Sequence, residues 1–283
     1  MGSAKFFTSQ GELICRELKE LLAITDIIHH NTLNSITAAV NNTSKGWLRK
    51  GERWEEQENK FMAIKDKILS LAKKLGYIDK IYPLKTIYNR ALLLGSDAND
   101  VKERINSMLE AKLDKVHWSK CVMLGSDRSL ESTTEAPLCD QLLAANVIAA
   151  NYPATETGMM NYLLYKEYFD KLPPQCVNGP LLFINTIKPA GKKRANTEDT
   201  IINWLQIDNI ADEFEEIIVF SNQPYIFYQD KVIKYILAKH GFTNINILTV
   251  GEAAKPFIHP NIILDSIARD LFFLQKLQAY TIN

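Results

Sequence analysis

Two rhythms of apolar residues divide the chain near residue 85. Ahead of that point Leu13, Ile14, Leu18, Leu21, Leu22 and Ile28 recur at three-to-four spacing, and Phe61, Ile64, Ile68, Leu71 and Leu75 repeat it. Such spacing gathers apolar side chains on one face of a helix, and Gly76 supplies a stop to the second run. The stretch between them, NNTSKGWLRKGERWEE, carries two glycines and reads as a loop that Trp47 and Trp54 clamp onto a core. Residues 1–85 are therefore expected to form a helical region whose apolar faces need a larger body to pack on.

After Tyr82-Pro83 the rhythm changes to short apolar runs: RALLLG (Arg90–Gly95), KCVMLG (Lys120–Gly125), PLLFINT (Pro180–Thr186), EIIVFS (Glu216–Ser221) and NINILTV (Asn244–Val250). Helical stretches separate them, and the last of these closes on Gly241 after Lys239 and His240, a C-terminal cap sequence. Near-continuous apolar strands alternating with helices predict a parallel sheet covered on both faces. Right-handed crossovers then give an α/β fold: a doubly wound, mainly parallel, five-stranded Rossmann-like sheet with an N-terminal helical extension. One stretch, about 151–180, breaks the alternation with an extra helix and a Pro-Pro, Asn-Gly turn segment. It is expected to be an insertion in the 86–283 domain and a candidate lid, with Tyr162, Tyr165, Tyr168 and Phe169 as a packing face.

Composition narrows the function classes. Lys+Arg and Asp+Glu both total 33, so no net field draws the chain to nucleic acid or an anionic membrane. Charges at Glu12, Arg16, Glu17, Lys19 and Glu20 interrupt every early apolar run, which predicts no membrane span and a cytoplasmic protein. Cys15, Cys121, Cys139 and Cys176 form no C-x-x-C pair and read as free thiols. The five histidines lack metal-ligand spacing, so no structural zinc site is expected.

In an open parallel sheet, ligands bind beyond the carboxyl ends of the strands. Four strand ends matter on that ground: Gly95-Ser96-Asp97, Gly125-Ser126-Asp127-Arg128, the basic loop with Arg194 leading into Asn196-Thr197-Glu198, and Ser221-Asn222. The first two share the phrase Leu-Gly-Ser-Asp thirty residues apart, one β-α-β period. Small residues let a ligand approach the backbone, and unpaired amides at the following helix starts suit an anion. Gly-Ser-Asp is equally ordinary turn and N-cap chemistry. That reading is favoured for Asp97, whereas for Asp127 and Arg128 both stand, since an arginine there can grip a phosphate or carboxylate. G-x-G-x-x-G, the P-loop frame and the G-x-S-x-G elbow are all absent.

With these loops in place, residues 87–250 resemble the YdcF/SanA/ElyC family, whose domain has no settled reaction. The likeness rests on Leu94-Gly95, on Gly125-Ser126 followed by Thr134-Glu135-Ala136, on RANTEDT (Arg194–Thr200), and on the strand end in VFSNQPYIFYQD. It implies a Rossmann-type sheet with its site on the strand-end rim, and it adds Arg104 and Glu135 to the candidates. The family's His and Arg after the last motif are replaced here by Pro224–Gln229, and Asp199 stands where Asn is common.

Three functions follow as expectations. The first is an enzyme acting on a phosphorylated or nucleotide-like small molecule, with Glu135 as leading acid or base, Asp97 and Asp127 next, and Arg128 and Arg194 steadying negative charge. The second is a non-catalytic module for a nucleotide or S-adenosylmethionine, in which Glu131 holds a ribose, a position that a surface turn explains equally well. The third is an interaction protein with a degenerate site. The cofactor is left open, and Asp97 and Asp127 could hold Mg²⁺ beside a phosphate.

Overall fold

A computed structural model describes residues 6–42, 46–49, 60–131, 135–146, 154–169, 179–192, 194–208, 210 and 213–281. The expectations for Trp54, Thr134, Cys176, the Pro-Pro, Asn-Gly turn and the Tyr168 and Phe169 side chains lie outside what is described. The chain forms two compact units, one of Met1–Lys80, Gln223–Ala238 and Ala253–Asn283, the other of Ile81–Asn222 and Lys239–Glu252. Residues 1–80 of the expected helical region thus share a unit with two later segments.

All five expected strands are present, as β1 (Ile87–Leu94), β2 (His117–Ser126), β3 (Leu181–Thr186), β4 (Glu215–Asn222) and β5 (Ile245–Glu252). They form one parallel sheet in the order β3-β2-β1-β4-β5, the doubly wound Rossmann-like arrangement. Chain order reverses beside β1, which pairs with β2 on one side and β4 on the other. Register aligns Leu94 with Leu124 and Gly125 with Asn185, so the three strand ends share one rim.

Helix α4 (Ala98–Leu113) and, within the expected insertion, α6 (Glu156–Leu164) cover one face. Val101, Ile105 and Met108 of α4 and Met159, Met160 and Leu163 of α6 bury against Ala91, Leu93, Met123 and Phe220. Each such large side chain contributes roughly 1.5–3 kcal/mol when removed from water. The short α5 (Ala136–Ala144) precedes α6, and a π-helical turn, Tyr165–Phe169, follows it.

Residues of the other phase face α7 (Thr197–Ile207), which packs on β2 and β3. Its C-cap Asp208 has a fully buried carboxylate that accepts from Arg90 Nε at 3.1 Å and Trp204 Nε1 at 2.8 Å and pairs with Lys120. Arg90 also pairs with Glu215. On β5, Gly251 has φ +153°, and a Cβ there would lie 1.8 Å from the Ser221 carbonyl oxygen. Within β5 this position therefore takes glycine, because a side chain would run into the neighbouring strand β4.

The first unit contains α1 (Arg16–Ile24), α2 (Leu33–Val40), α3 (Lys65–Lys74), most of α8 (Ile226–Lys239) and α9 (Pro260–Thr281). α2 was not among the expected elements; Thr32 caps it, and it packs with α3 on α9. Trp47 is buried as expected and donates to Thr25 Oγ1 at 3.0 Å. Between α8 and α9, buried Asp270 pairs with Lys231 at 2.6 Å and accepts from Tyr77 Oη at 2.7 Å. Burial, with Asp270 beside it, pushes the Tyr77 phenol well above its ordinary value.

Among the described residues, Cys15, Cys121 and Cys139 are free thiols, and burial pushes Cys121 up to about 12. No described helix is long and apolar enough to cross a membrane.

Removing one partner of a buried ion pair strands the other charge, so Asp208→Ala is expected to cost about 3 kcal/mol or more in urea denaturation. Leu205→Ala, half-buried on the same helix, is expected to cost less than Asp208→Ala.

Candidate functional site

The core is apolar along the strands and turns polar at their carboxyl ends. There Ser96, Asp100, Arg104, Ser126, Arg128, Glu135, Glu156 and Asn222 are all buried, and hydrogen bonds link them into a few connected groups.

Arg104 projects from α4 and is fully buried. Its Nε and Nη2 donate to Asn222 Oδ1 at 2.9 and 2.6 Å, and its Nη1 donates to the carbonyls of Leu94 and Gly95, both at 2.8 Å. One guanidinium therefore ties the end of β1 to the end of β4, at the point where strand order reverses.

Arg128 follows β2. Its Nη1 donates to Glu135 Oε2 at 3.0 Å and to the Ser129 carbonyl at 3.2 Å; its Nη2 donates to the Ser96 carbonyl at 3.1 Å and Glu135 Oε1 at 3.4 Å. Its Nε lies 3.8 Å from Glu156 Oε1. Burial pulls the guanidinium down, but the Glu135 hydrogen bond and the charges of Glu156, Glu135 and Asp97 outweigh it, so the proton is held more tightly than usual.

Glu135 also accepts from the backbone amides of Ala98 at 3.0 Å and Glu131 at 2.8 Å. It thereby joins the start of α4 to the β2–α5 loop. Asp97 is the N-cap of α4, accepting from the Asp100 amide at 3.0 Å, and the Ser96 hydroxyl donates to Asp100 Oδ2 at 3.0 Å. Asp127 accepts from the Lys188 amide at 3.0 Å, and its own amide donates to the Thr186 carbonyl at 3.1 Å, joining β2 to the loop after β3.

The two shared glycines meet the same helix. A Cβ on Gly95 would lie 2.8 Å from Glu156 Cδ and 2.9 Å from the Leu124 carbonyl oxygen; one on Gly125 would lie 2.6 Å from Thr157 Oγ1 and 3.0 Å from Met160 Sδ. Neither has positive φ, so what each supplies is space rather than a special turn. The close approach expected of a ligand is made here by the first turn of α6. Thr155 caps that turn, and Thr157 Oγ1 lies 3.1 Å from the Ser126 carbonyl and 2.8 Å from Asn185 Oδ1.

Glu156 is the group that sequence reasoning missed. The Ser126 hydroxyl donates to its Oε2 at 2.5 Å. Burial pushes its carboxyl above the ordinary value, although the charge of Arg128, the Ser126 hydrogen bond, Arg194 and Arg104 all pull it down. In ATETGMM it reads only as an acid at a helix start, and nothing in its neighbours announces Ser126 or Arg128 as partners.

Two further predicted stretches make contacts of their own. Asn196 and Asp199 form a reciprocal capping box at the start of α7, with Thr197 and Glu198 in its first turn and Lys192 pairing with Asp199 at 2.8 Å. Ser221 is fully buried, its carbonyl against Gly251. Among the described residues, no group of three or more His, Cys, Asp or Glu is placed to hold a metal ion.

No protein-family model matches this chain, and no curated protein is significantly similar to it.

Gly125→Ala is expected to cost about 1–3 kcal/mol, because the methyl must displace α6. Gly158→Ala in the same helix meets only Thr155 Oγ1, at 3.5 Å, and is expected to gain up to about 1 kcal/mol. Thermal denaturation of the two variants checks both signs.

The raised Glu156 carboxyl keeps its proton in the folded state at pH values where the unfolded chain has already lost it. Stability tied to this residue is therefore highest below the ordinary glutamate value of 4.5 and falls as pH rises through the folded value. Glu156→Gln is expected to gain stability relative to the parent as pH rises from 4 towards neutrality, read from paired urea titrations. A difference that stays flat with pH contradicts the shift.

Proposed function

We propose that this chain is a YdcF-like protein that binds a phosphorylated or nucleotide-like small molecule at the carboxyl edge of its sheet and acts on it as an enzyme. The reading is carried by the concentration of buried charge at that edge. Arg104, Arg128, Glu135 and Glu156 lie there together, each less than a tenth exposed. Ions taken from water cost several kcal/mol each unless well paired, so a scaffold alone is better served by apolar packing. Carboxylates and guanidiniums buried together at the strand ends, with one carboxyl raised by burial, support that reading, because proton transfer beside an anion uses such groups.

Roles follow from the geometry. Glu156 suits a proton donor, since burial keeps it protonated longer than an ordinary glutamate. Arg128 and Arg194 supply positive charge near it. Glu135, with Arg128 and two amides on its oxygens, suits a positioning role for Arg128 more than proton transfer. The same engagement of Glu135 favours a second reading, a module that binds its nucleotide or S-adenosylmethionine without turnover.

Thermal-shift measurement with nucleotides, sugar phosphates and S-adenosylmethionine, each with and without Mg²⁺, tests the proposal. A ligand at a hundred times its Kd stabilises by about 2.7 kcal/mol, a readily measured rise in Tm. Ser126→Ala is expected to diminish that rise while leaving the fold intact. Product formation from the stabilising ligand separates the enzyme from the module, and absence of any shift across the panel refutes both.

A further inference from the structure

We infer that Glu156 is a built-in occupant of the anion position at this edge, a carboxylate that an incoming phosphate must displace, so that this side chain regulates access to the site. The inference rests on the binding reading proposed above.

The surroundings of the Glu156 carboxylate are those that hold an oxyanion at a sheet edge. A glycine, Gly95, lets it approach the backbone so closely that a Cβ there would lie 2.9 Å from Oε1. A hydroxyl, Ser126, donates to Oε2. A guanidinium nitrogen, Arg128 Nε, stands 3.8 Å from Oε1. Arg194 and Arg104 add positive charge from the β3–α7 loop and from α4.

The fit to a carboxylate is nevertheless loose. Arginine and carboxylate in a good pair close to about 2.7–2.9 Å, whereas Arg128 spends its two terminal nitrogens on Glu135 and backbone carbonyls and leaves Nε at 3.8 Å from Glu156. A free oxyanion is not tethered to a helix backbone as Glu156 is. It can keep one oxygen on the Ser126 hydroxyl and settle another closer to Arg128 Nε, and its charge is less readily removed by protonation than that of a buried glutamate.

Release is a matter of the side chain and not of the helix. The Glu156 amide donates to the Arg128 carbonyl and the Leu130 amide to the Ala154 carbonyl, both at 2.9 Å, and Met159, Met160, Leu163 and Leu164 anchor α6 in the core. The backbone at the start of α6 is therefore fixed, and the Glu156 carboxylate leaves by rotating its own side chain.

A site whose competent state is rare shows an affinity reduced by that fraction. Removing the internal competitor therefore raises affinity for an anion without adding any contact to it. The test measures binding of inorganic phosphate by isothermal titration calorimetry to the full chain, to Glu156→Gln and to Glu156→Ala, with the fold of each checked by thermal denaturation. Both variants are expected to bind phosphate about tenfold more tightly or better, the size of effect a competitor occupying nine-tenths of the molecules would impose.

Equal affinity in parent and variants overturns the inference and leaves the binding reading standing. Weaker binding by the Glu156 variants also overturns it, by making the carboxylate a contributor to binding. Failure of parent and variants alike to bind phosphate or any member of the ligand panel overturns the binding reading and the inference together.

Discussion

A guanidinium removed from water must find partners for its charge and its donors, or its cost is several kcal/mol. At the carboxyl edge of this sheet Arg128 is in that position, and the loops around it are arranged to satisfy it. Glu135 comes from beyond the β2 loop, Ser96 offers its carbonyl from the β1 loop, and Glu156 comes from α6. Each partner is then held by something else. Glu135 takes the amides of Ala98 and Glu131, and Glu156 takes the Ser126 hydroxyl. Three segments far apart in sequence are thereby fixed on one rim by the need to satisfy one charge. Arg104 does the corresponding work one strand over, joining the ends of β1 and β4.

Space is the second constraint. Strand ends can admit either a ligand or a neighbouring helix, and at Gly95 and Gly125 the neighbour is α6. A side chain at either position would collide with Glu156 or Thr157. The shared Leu-Gly-Ser-Asp phrase is therefore one packing requirement met twice. Its serines diverge, with Ser96 serving the α4 start through Asp100 and Ser126 serving Glu156. Its aspartates diverge as well: Asp97 caps a helix, and Asp127 ties β2 to the loop after β3. Identical local spelling acquires different work because the elements across the rim differ.

The two compact units handle buried charge by the same rule. Asp208 in one gathers Arg90, Lys120 and Trp204, and Asp270 in the other gathers Lys231 and Tyr77. In both, a carboxylate with little or no exposure joins elements that the apolar core alone would leave free to slide. What sets the carboxyl edge apart is that several such groups are crowded together with Glu156, whose carboxyl burial raises.

Much of the fold was legible because it rests on periodic burial. Strands buried on both faces must be apolar along their length, so RALLLG, KCVMLG, PLLFINT, EIIVFS and NINILTV announced β1 to β5, and the helices between them carried their own spacing. Helix α2 escaped notice because its eight residues span barely two turns, too few for a period to stand out. Asp97 as a cap was legible too, since capping is settled within four residues. Local chemistry along the chain thus determined the five strands and most of the helices between them. The tertiary structure alone decided that Arg104 spans to Asn222, that Arg128 faces Ser96 and Glu156, and that α6 fills the space both glycines leave. Those pairings depend on distance in space between segments tens of residues apart, and no local pattern carries that distance.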